Sequence, residues 1–347
     1  MRIAFLTSQL TIGGGERQLV RTADHLARAG AEVLVISTTP SLQALDLELG
    51  GPEGTPAHVV GIDEPTRRRR LDAARRLLRA TSPDVLVGWL RSATVWAPLL
   101  GAAAGIPTLR LAERTTLDAY PPAWRRARLL AARRADRVVA NAEHAAEQWR
   151  RAAPWVDVRV APNLPPPLLA PIRQPDGDAV RFVLVGRLVP AKGVDVAIDA
   201  LARACAAGLD AELVVVGRDY DGGATSAALR RRADEQGVGS RLELRPPDLR
   251  GVADVRPFAD VLLVPSRWEG SSNVLAEGLA AGLPVLASEA VVAPWPGISF
   301  PTAPIGDAEA LAEHMVGRAW EATSVGAGTF AEWARAAGGE AEAAWLS

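Results

Sequence analysis

Twice along this 347-residue chain a buried-strand run opens into a glycine-bearing loop and then a helix. The first instance is Ile3–Ser8, then Gly13-Gly14-Gly15, then a helix expected over about Glu16–Ala29. The second is Arg181–Val185, then Gly186-Arg187-Leu188-Val189-Pro190-Ala191-Lys192-Gly193, then a helix over Val194–Ala207. Each start is followed by alternating apolar runs and helical stretches. That alternation implies right-handed crossovers and a parallel sheet covered on both faces. Between the two starts lies Pro162-Asn163-Leu164-Pro165-Pro166-Pro167 through Pro175-Asp176-Gly177-Asp178, whose proline density cannot continue a sheet. The chain therefore reads as α/β: a first domain over 1–165, a linker over 166–178 and a second domain over 179–347. Two doubly wound sheets facing across a cleft would put both loops at carboxyl strand ends, where such sheets bind ligands. Helices over Asp307–Glu321 and Thr329–Trp345 finish the chain, and with Trp320, Trp333 and Trp345 can pack back on the first domain.

Charge is unevenly spread. Residues 1–170 carry 23 Arg and 16 acids, a balance of +7, and the remainder balances to −8. Arg67–Arg70 with Arg75, Arg76 and Arg79, and Trp124 with Arg125, Arg126, Arg128, Arg133 and Arg134, mark two basic helices. Such helices suit a peripheral contact with an anionic membrane, an anionic-acceptor groove or plain solvation. Near-neutral overall charge and the lack of reader motifs argue against nucleic acid. One cysteine, Cys205, rules out a disulfide framework and fits a reducing cytoplasm, with the inner membrane face as a peripheral site. The opening MRIAFLTSQ has too short an apolar core for a signal peptide. The apolar stretch near 92–109 is interrupted by Pro98, Gly105 and Pro107, so it reads as buried helix plus strand.

The densest chemistry lies in residues 258–288, FADVLLVPSRWEGSSNVLAEGLAAGLPVLAS. ADVLLVPS is a buried-strand run, Arg267–Ser272 a polar loop, and Asn273–Ala281 a helix stopped by Gly282 and Pro284. The loop delivers Glu269 at the strand's carboxyl end, and Glu277 follows about one turn into the helix. A carboxylate accepts two hydrogen bonds side by side and so matches a vicinal diol. Gly270 and the backbone N–H groups of Ser271, Ser272, Asn273 and Val274 would face a phosphate or a sugar hydroxyl. In the 186–193 loop, Lys192 is the sole lysine beside 38 arginines. Its compact ammonium is a point-charge partner for phosphate, and Arg187 adds a planar fork.

Glu-x7-Glu and Gly-Arg-…-Lys-Gly together resemble the retaining nucleotide-sugar glycosyltransferases of glycosyltransferase family 4. The resemblance covers nearly the whole chain. It implies a GT-B fold of two Rossmann-like domains and transfer of a sugar from a nucleoside-diphosphate sugar, UDP favoured on family frequency, to a glycan, lipid-linked or small-molecule acceptor. It implies diphosphate binding by Arg187 and Lys192, ribose binding by Glu277, and donor-sugar binding by Glu269. Gly14 and Gly15 resemble the family's glycine loop at the first strand, with Gly186 and Gly217 near the donor, and Arg245 and Pro246 lining the base. Many family members have a histidine near the reacting sugar where this chain has Glu113. That carboxylate would orient the acceptor hydroxyl, act as a base, or pair with Arg114. No cofactor and no metal are expected beyond the nucleotide-sugar co-substrate.

Rival readings are discriminated by residues. A dinucleotide fingerprint would need glycine at Gln18, and the second strand ends in Ser37-Thr38-Thr39 with no acid for an adenosine ribose. Asp176-Gly-Asp178 and Asp219-Tyr-Asp221 are the two strings that could hold a metal, and His25, His58, His144 and His314 lack ligand spacing. A nucleotide-sugar isomerase or epimerase of the same fold would turn over donor without acceptor. A non-catalytic binding module would release no diphosphate.

Overall fold

The computed structural model describes residues 1–11, 13–44, 54–90, 92–168, 179–246, 252–326 and 328–347. Residues 169–178 of the expected linker, with Asp176 and Asp178, lie outside the described residues. Contacts divide the chain into two units, Met1–Leu164 with Ala334–Ser347, and Pro165–Trp333.

The first unit carries a seven-stranded parallel sheet. In chain order its strands are β1 (Arg2–Thr7), β2 (Glu32–Ser37), β3 (His58–Gly61), β4 (Val85–Trp89), β5 (Thr108–Glu113), β6 (Arg137–Ala140) and β7 (Asp157–Val160). They lie side by side as β3-β2-β1-β4-β5-β6-β7, so the order reverses beside β1, where doubly wound sheets open a crevice. Its helices are α1 (Gly14–Arg28), α2 (Arg67–Thr81), α3 (Ala93–Ala104), α4 (Pro122–Ala132) and α5 (Glu143–Ala152). The arginine-rich α2 forms because Thr66 accepts from the Arg69 N–H at its start and it buries Ala74 and Leu78. Arg67, Arg68, Arg69, Arg76 and Arg79 are exposed on it.

The second unit repeats the plan with β8 (Val180–Val185), α6 (Val194–Ala206), β9 (Ala211–Val216), α7 (Ala224–Glu235), β10 (Leu242–Arg245), α8 (Val252–Val255), β11 (Val261–Val264), α9 (Asn273–Ala280) and β12 (Val285–Ser288). Four late elements follow: β13 (Ile298–Ser299), β14 (Thr302–Ala303), α10 (Ala308–Val316) and β15 (Ser324–Val325). The six-stranded parallel sheet runs β10-β9-β8-β11-β12-β14, and β13 pairs with β15 antiparallel. Val261–Val264 is buried throughout, as its apolar run requires.

α10 is shorter than expected. It stops at Gly317, and Arg318 takes a left-handed turn with φ 53° before a 3₁₀ turn over Ala319–Ala322. Trp320 therefore packs inside the second unit, edge-on to Phe182 at 5.2 Å. The last helix, α11 (Thr329–Trp345), begins in the second unit and ends in the first. Its end is bolted to the first sheet: Trp345 packs on Phe5 and Trp89, and Arg110 donates to the carbonyls of Ala344 and Ser347 at 3.1 and 2.7 Å. Among the described residues no helix is long and apolar enough to cross a membrane.

Candidate active site

In the second unit, β8 ends at Val185 and the chain crosses Gly186–Gly193 before α6. Gly186 donates its N–H to Val216 O, and Leu188 to Arg218 O, so the loop leans on the end of β9. Gly217 must lack a side chain, because a Cβ there would sit 2.0 Å from Gly186 O. Gly193 is forced twice over: its φ is 64°, and a Cβ would meet Pro265 O at 2.0 Å. That contact brings the loop after β8 against the loop after β11.

The two loops are fastened by Arg267. Its N–H donates to Ala191 O at 2.8 Å, and its guanidinium grips Asp195 at 2.8 and 2.7 Å and Pro190 O at 2.8 Å. Burial alone would raise the Asp195 carboxyl, yet the Arg267 hydrogen bonds and charge outweigh it and hold the group below the usual carboxylate range. Within this frame Lys192 Nζ lies 2.6 Å from Glu269 Oε1, which also accepts from Ser266 Oγ at 2.8 Å. The two side chains are 20% and 11% exposed. The expected cation and the expected sugar-binding acid are thus one charge-assisted pair. Arg187 is exposed on the same loop. Gly270 and Ser271 continue the loop, and Ser272 caps α9 by accepting from Leu275 N–H at 3.3 Å. Asn273 and Val274 are half-buried in its first turn, and Glu277 is buried in the next.

Arg245, at the end of β10, holds Glu243 at 2.6 and 2.8 Å and stacks on Phe258 at 4.3 Å, with Pro246 exposed beside it. Asp219 and Asp221 are helix-start residues. Asp219 accepts from Asp221 N–H, Ser226 N–H and Ser226 Oγ, and Asp221 accepts from Thr225 N–H and Oγ1. Hydrogen bonding to Asp221 and then to Ser226 holds Asp219 well below the usual carboxylate range. Their oxygens serve the first turn of α7.

In the first unit, Gly14 and Gly15 open α1 behind Gly13. Gly15 O accepts from Trp89 Nε1 at 2.9 Å, and a Cβ on Gly15 would run into the Leu90 side chain at 2.6 Å. Glu113, the last residue of β5, is 0% exposed. One oxygen accepts from Tyr120 OH and the N–H groups of Arg114 and Thr115. The other accepts from Arg128 Nη2 at 2.8 Å and Trp149 Nε1 at 3.0 Å. An ion pair, one of the three readings open for Glu113, forms with Arg128 in place of Arg114. Burial would lower the Arg128 guanidinium, but Glu113's charge outweighs it and the net shift is upward. With both oxygens engaged and no exposed surface, Glu113 holds α4 and α5 to the sheet and offers no oxygen to an acceptor hydroxyl. Arg114 instead stacks on Trp89 at 4.2 Å, and burial draws its guanidinium down to about 9 against the pull of Glu113.

Sequence reasoning passed over Arg267, Asp195 and Ser266. Asp195 two residues beyond Gly193 and Arg267 two before Glu269 were the available signal, since the first flanks and the second opens a loop already singled out.

Residues 179–318 match the family model of glycosyl transferases group 1, and residues 12–164 match that of glycosyltransferase family 4. The chain is similar to D-inositol 3-phosphate glycosyltransferase of Jonesia denitrificans, 35% identical over 119 residues, 33% of this chain and 28% of that protein. It is similar to the protein of the same name from Mycobacterium leprae, 29% identical over 313 residues, 80% of this chain and 72% of that protein. The chain thus spans under a third of the first relative and about seven tenths of the second. Among solved structures it is similar to Anabaena HepE in complex with UDP and glucose, with a TM-score of 0.73 at 18% identity over 99% of this chain and 95% of that one. That likeness speaks for the fold: two parallel-sheet α/β units of the GT-B type.

Proposed function

The chain belongs to the group 1 glycosyl transferases of glycosyltransferase family 4, and from that premise we propose that it moves a sugar from a nucleoside-diphosphate sugar, UDP first among them, to an acceptor hydroxyl with retained configuration and no metal. The observation that carries this is the Lys192–Glu269 pair at the carboxyl ends of β8 and β11, braced by Arg267 on Asp195. Lys192, with Arg187, neutralises the charge that builds on the departing diphosphate, the stage at which such a contact lowers the barrier most. Glu269 and the Gly270–Val274 backbone take the donor sugar and phosphate, Glu277 the ribose, and Gly217 with Arg245 and Pro246 the base.

In the reaction the bond from the sugar's anomeric carbon to the β-phosphate oxygen breaks. The acceptor oxygen bonds to that carbon on the same face, and its proton passes to the leaving phosphate. No protein nucleophile is needed. The acceptor is a glycan, a lipid-linked saccharide or a small natural product. D-inositol 3-phosphate in the relatives' name makes a polar, charged acceptor the first to try.

The test is thermal unfolding of the full chain with UDP, GDP, ADP and UDP-glucose, each in EDTA. A ligand at about 100 times its Kd should stabilise by roughly 2.7 kcal/mol. One nucleotide should do so with EDTA present. Stabilisation by none overturns the donor reading, and stabilisation that needs added Mg²⁺ overturns metal independence.

A peripheral membrane contact belongs to the same proposal. α2 packs on α3 and α3 on α4. Arg67, Arg68, Arg69, Arg126, Arg133 and Arg134 are exposed there with Leu130, and Trp155 lies under Arg133. Arginines interleaved with exposed apolar side chains fit an anionic headgroup layer. The chain should co-sediment with phosphatidylglycerol vesicles at low salt and be released by high salt. Equal recovery with phosphatidylcholine vesicles would remove the contact.

A further inference from the structure

We propose that Glu269 is also the resident counter-ion of Lys192, and that the pair makes the second unit favour a sugar-bearing diphosphate over the bare nucleoside diphosphate. This rests on the donor reading above and gives that site a specificity.

Lys192 Nζ and Glu269 Oε1 are 2.6 Å apart, and Glu269 is the one ion-pair partner of Lys192 among the described residues. A diphosphate that reaches this ammonium must therefore take it from a carboxylate. The frame prevents that carboxylate from swinging away with its loop. Arg267 ties the loop to Asp195, Pro190 O and Ala191 O, and Gly193 lies directly under Pro265 O. Ser266 Oγ donates to the same Oε1 at 2.8 Å.

The consequence differs for the two ligands. Bare UDP satisfies Lys192 but offers Glu269 no donor beyond Ser266, and sets a partly buried carboxylate next to phosphate oxygens of like charge. A UDP-sugar gives Lys192 the same diphosphate and gives Glu269 sugar hydroxyls to accept from. Both charges are then satisfied at once. When the sugar has left for the acceptor, Glu269 loses its hydroxyls and draws Lys192 back, which weakens the hold on UDP. The pair thus penalises the product and aids its release.

The test is calorimetric titration of the full chain with UDP and, separately, UDP-glucose, on wild type, Glu269→Gln, Lys192→Met and the double variant. Glutamine keeps the shape and the Ser266 contact while removing the charge. Glu269→Gln is expected to tighten UDP about tenfold, to leave UDP-glucose unchanged or weaker, and to show no UDP gain in the Lys192→Met background. Unchanged or weaker UDP binding by Glu269→Gln overturns the inference. So does an equal gain for both ligands, or a gain that survives Lys192→Met, since either would make the effect a general repulsion. If neither wild type nor any variant takes up UDP or UDP-glucose, the choice of UDP as donor nucleotide falls and takes the inference with it. An unfolding midpoint for Glu269→Gln near that of wild type shows that the comparison is between folded proteins.

Discussion

Replacing Lys192 with alanine is expected to lower turnover by about 10²–10³-fold, because removing one group that stabilises developing transition-state charge costs about 2.7–4 kcal/mol. The same change should cost folding stability only on the order of 1–3 kcal/mol. The Lys192 and Glu269 side chains are 20% and 11% exposed, so the one ion pair Lys192 makes among the described residues lies between the surface case of about 0–1 kcal/mol and the buried case of about 3–5 kcal/mol. The methylene stem runs along Gly186, with Cγ and Cδ at 3.5 Å from where a Cβ on Gly186 would stand, so alanine removes some packing but no core. Turnover and unfolding midpoint measured on one preparation therefore separate a chemical role from a structural one. Lys192→Arg should recover only part of the loss, since a planar fork does not fit a point-charge site held by one carboxylate oxygen. Near-normal turnover by Lys192→Ala would take this residue out of the mechanism.

The parts of this site that the sequence exposes are those with a short spacing. Lys192 stands two residues from a helix start that glycine marks, and Glu269 five from the end of a buried strand, so topology alone brings both to carboxyl strand ends. What sequence reasoning lacks is the identity of partners. Glu113 and Arg114 are neighbours at the end of a strand, so their side chains leave on opposite sides and cannot pair along it. The true partner, Arg128, stands fifteen residues on, on a helix whose packing decides the contact. Asp219 and Asp221 resemble a metal pair in sequence because capping and metal binding both ask for short acidic side chains. The two-residue strands β13, β14 and β15 are too short for any period to show, and α10 ends at Gly317, a stop signal in the sequence that lies short of the expected end at Glu321.

Glu113→Ala should destabilise the first unit by about 3–5 kcal/mol, the usual cost of removing one partner from a buried ion pair. For a unit of this size that corresponds to a fall in unfolding midpoint on the order of ten degrees. The reason is the neighbourhood: Arg128 is 1% exposed, reaches Thr94 and Ala112 O besides Glu113, and would keep a charge with no carboxylate in contact. Trp149 Nε1 and Tyr120 OH would lose their acceptor as well. Glu113→Gln should cost a large part of the same sum, because it keeps the shape but leaves the guanidinium uncompensated. Combining Glu113→Gln with Arg128→Met removes both charges, so the double variant should be more stable than the sum of the two single losses predicts. UDP affinity, which the proposed donor site places in the second unit, should hold in all three at temperatures below their midpoints. A base at this position would give a different pattern: Glu113→Gln would unfold near the wild-type midpoint, bind UDP normally and lose turnover. Midpoint, UDP affinity and turnover taken together decide between a carboxylate that holds two helices to a sheet and one that takes part in the chemistry.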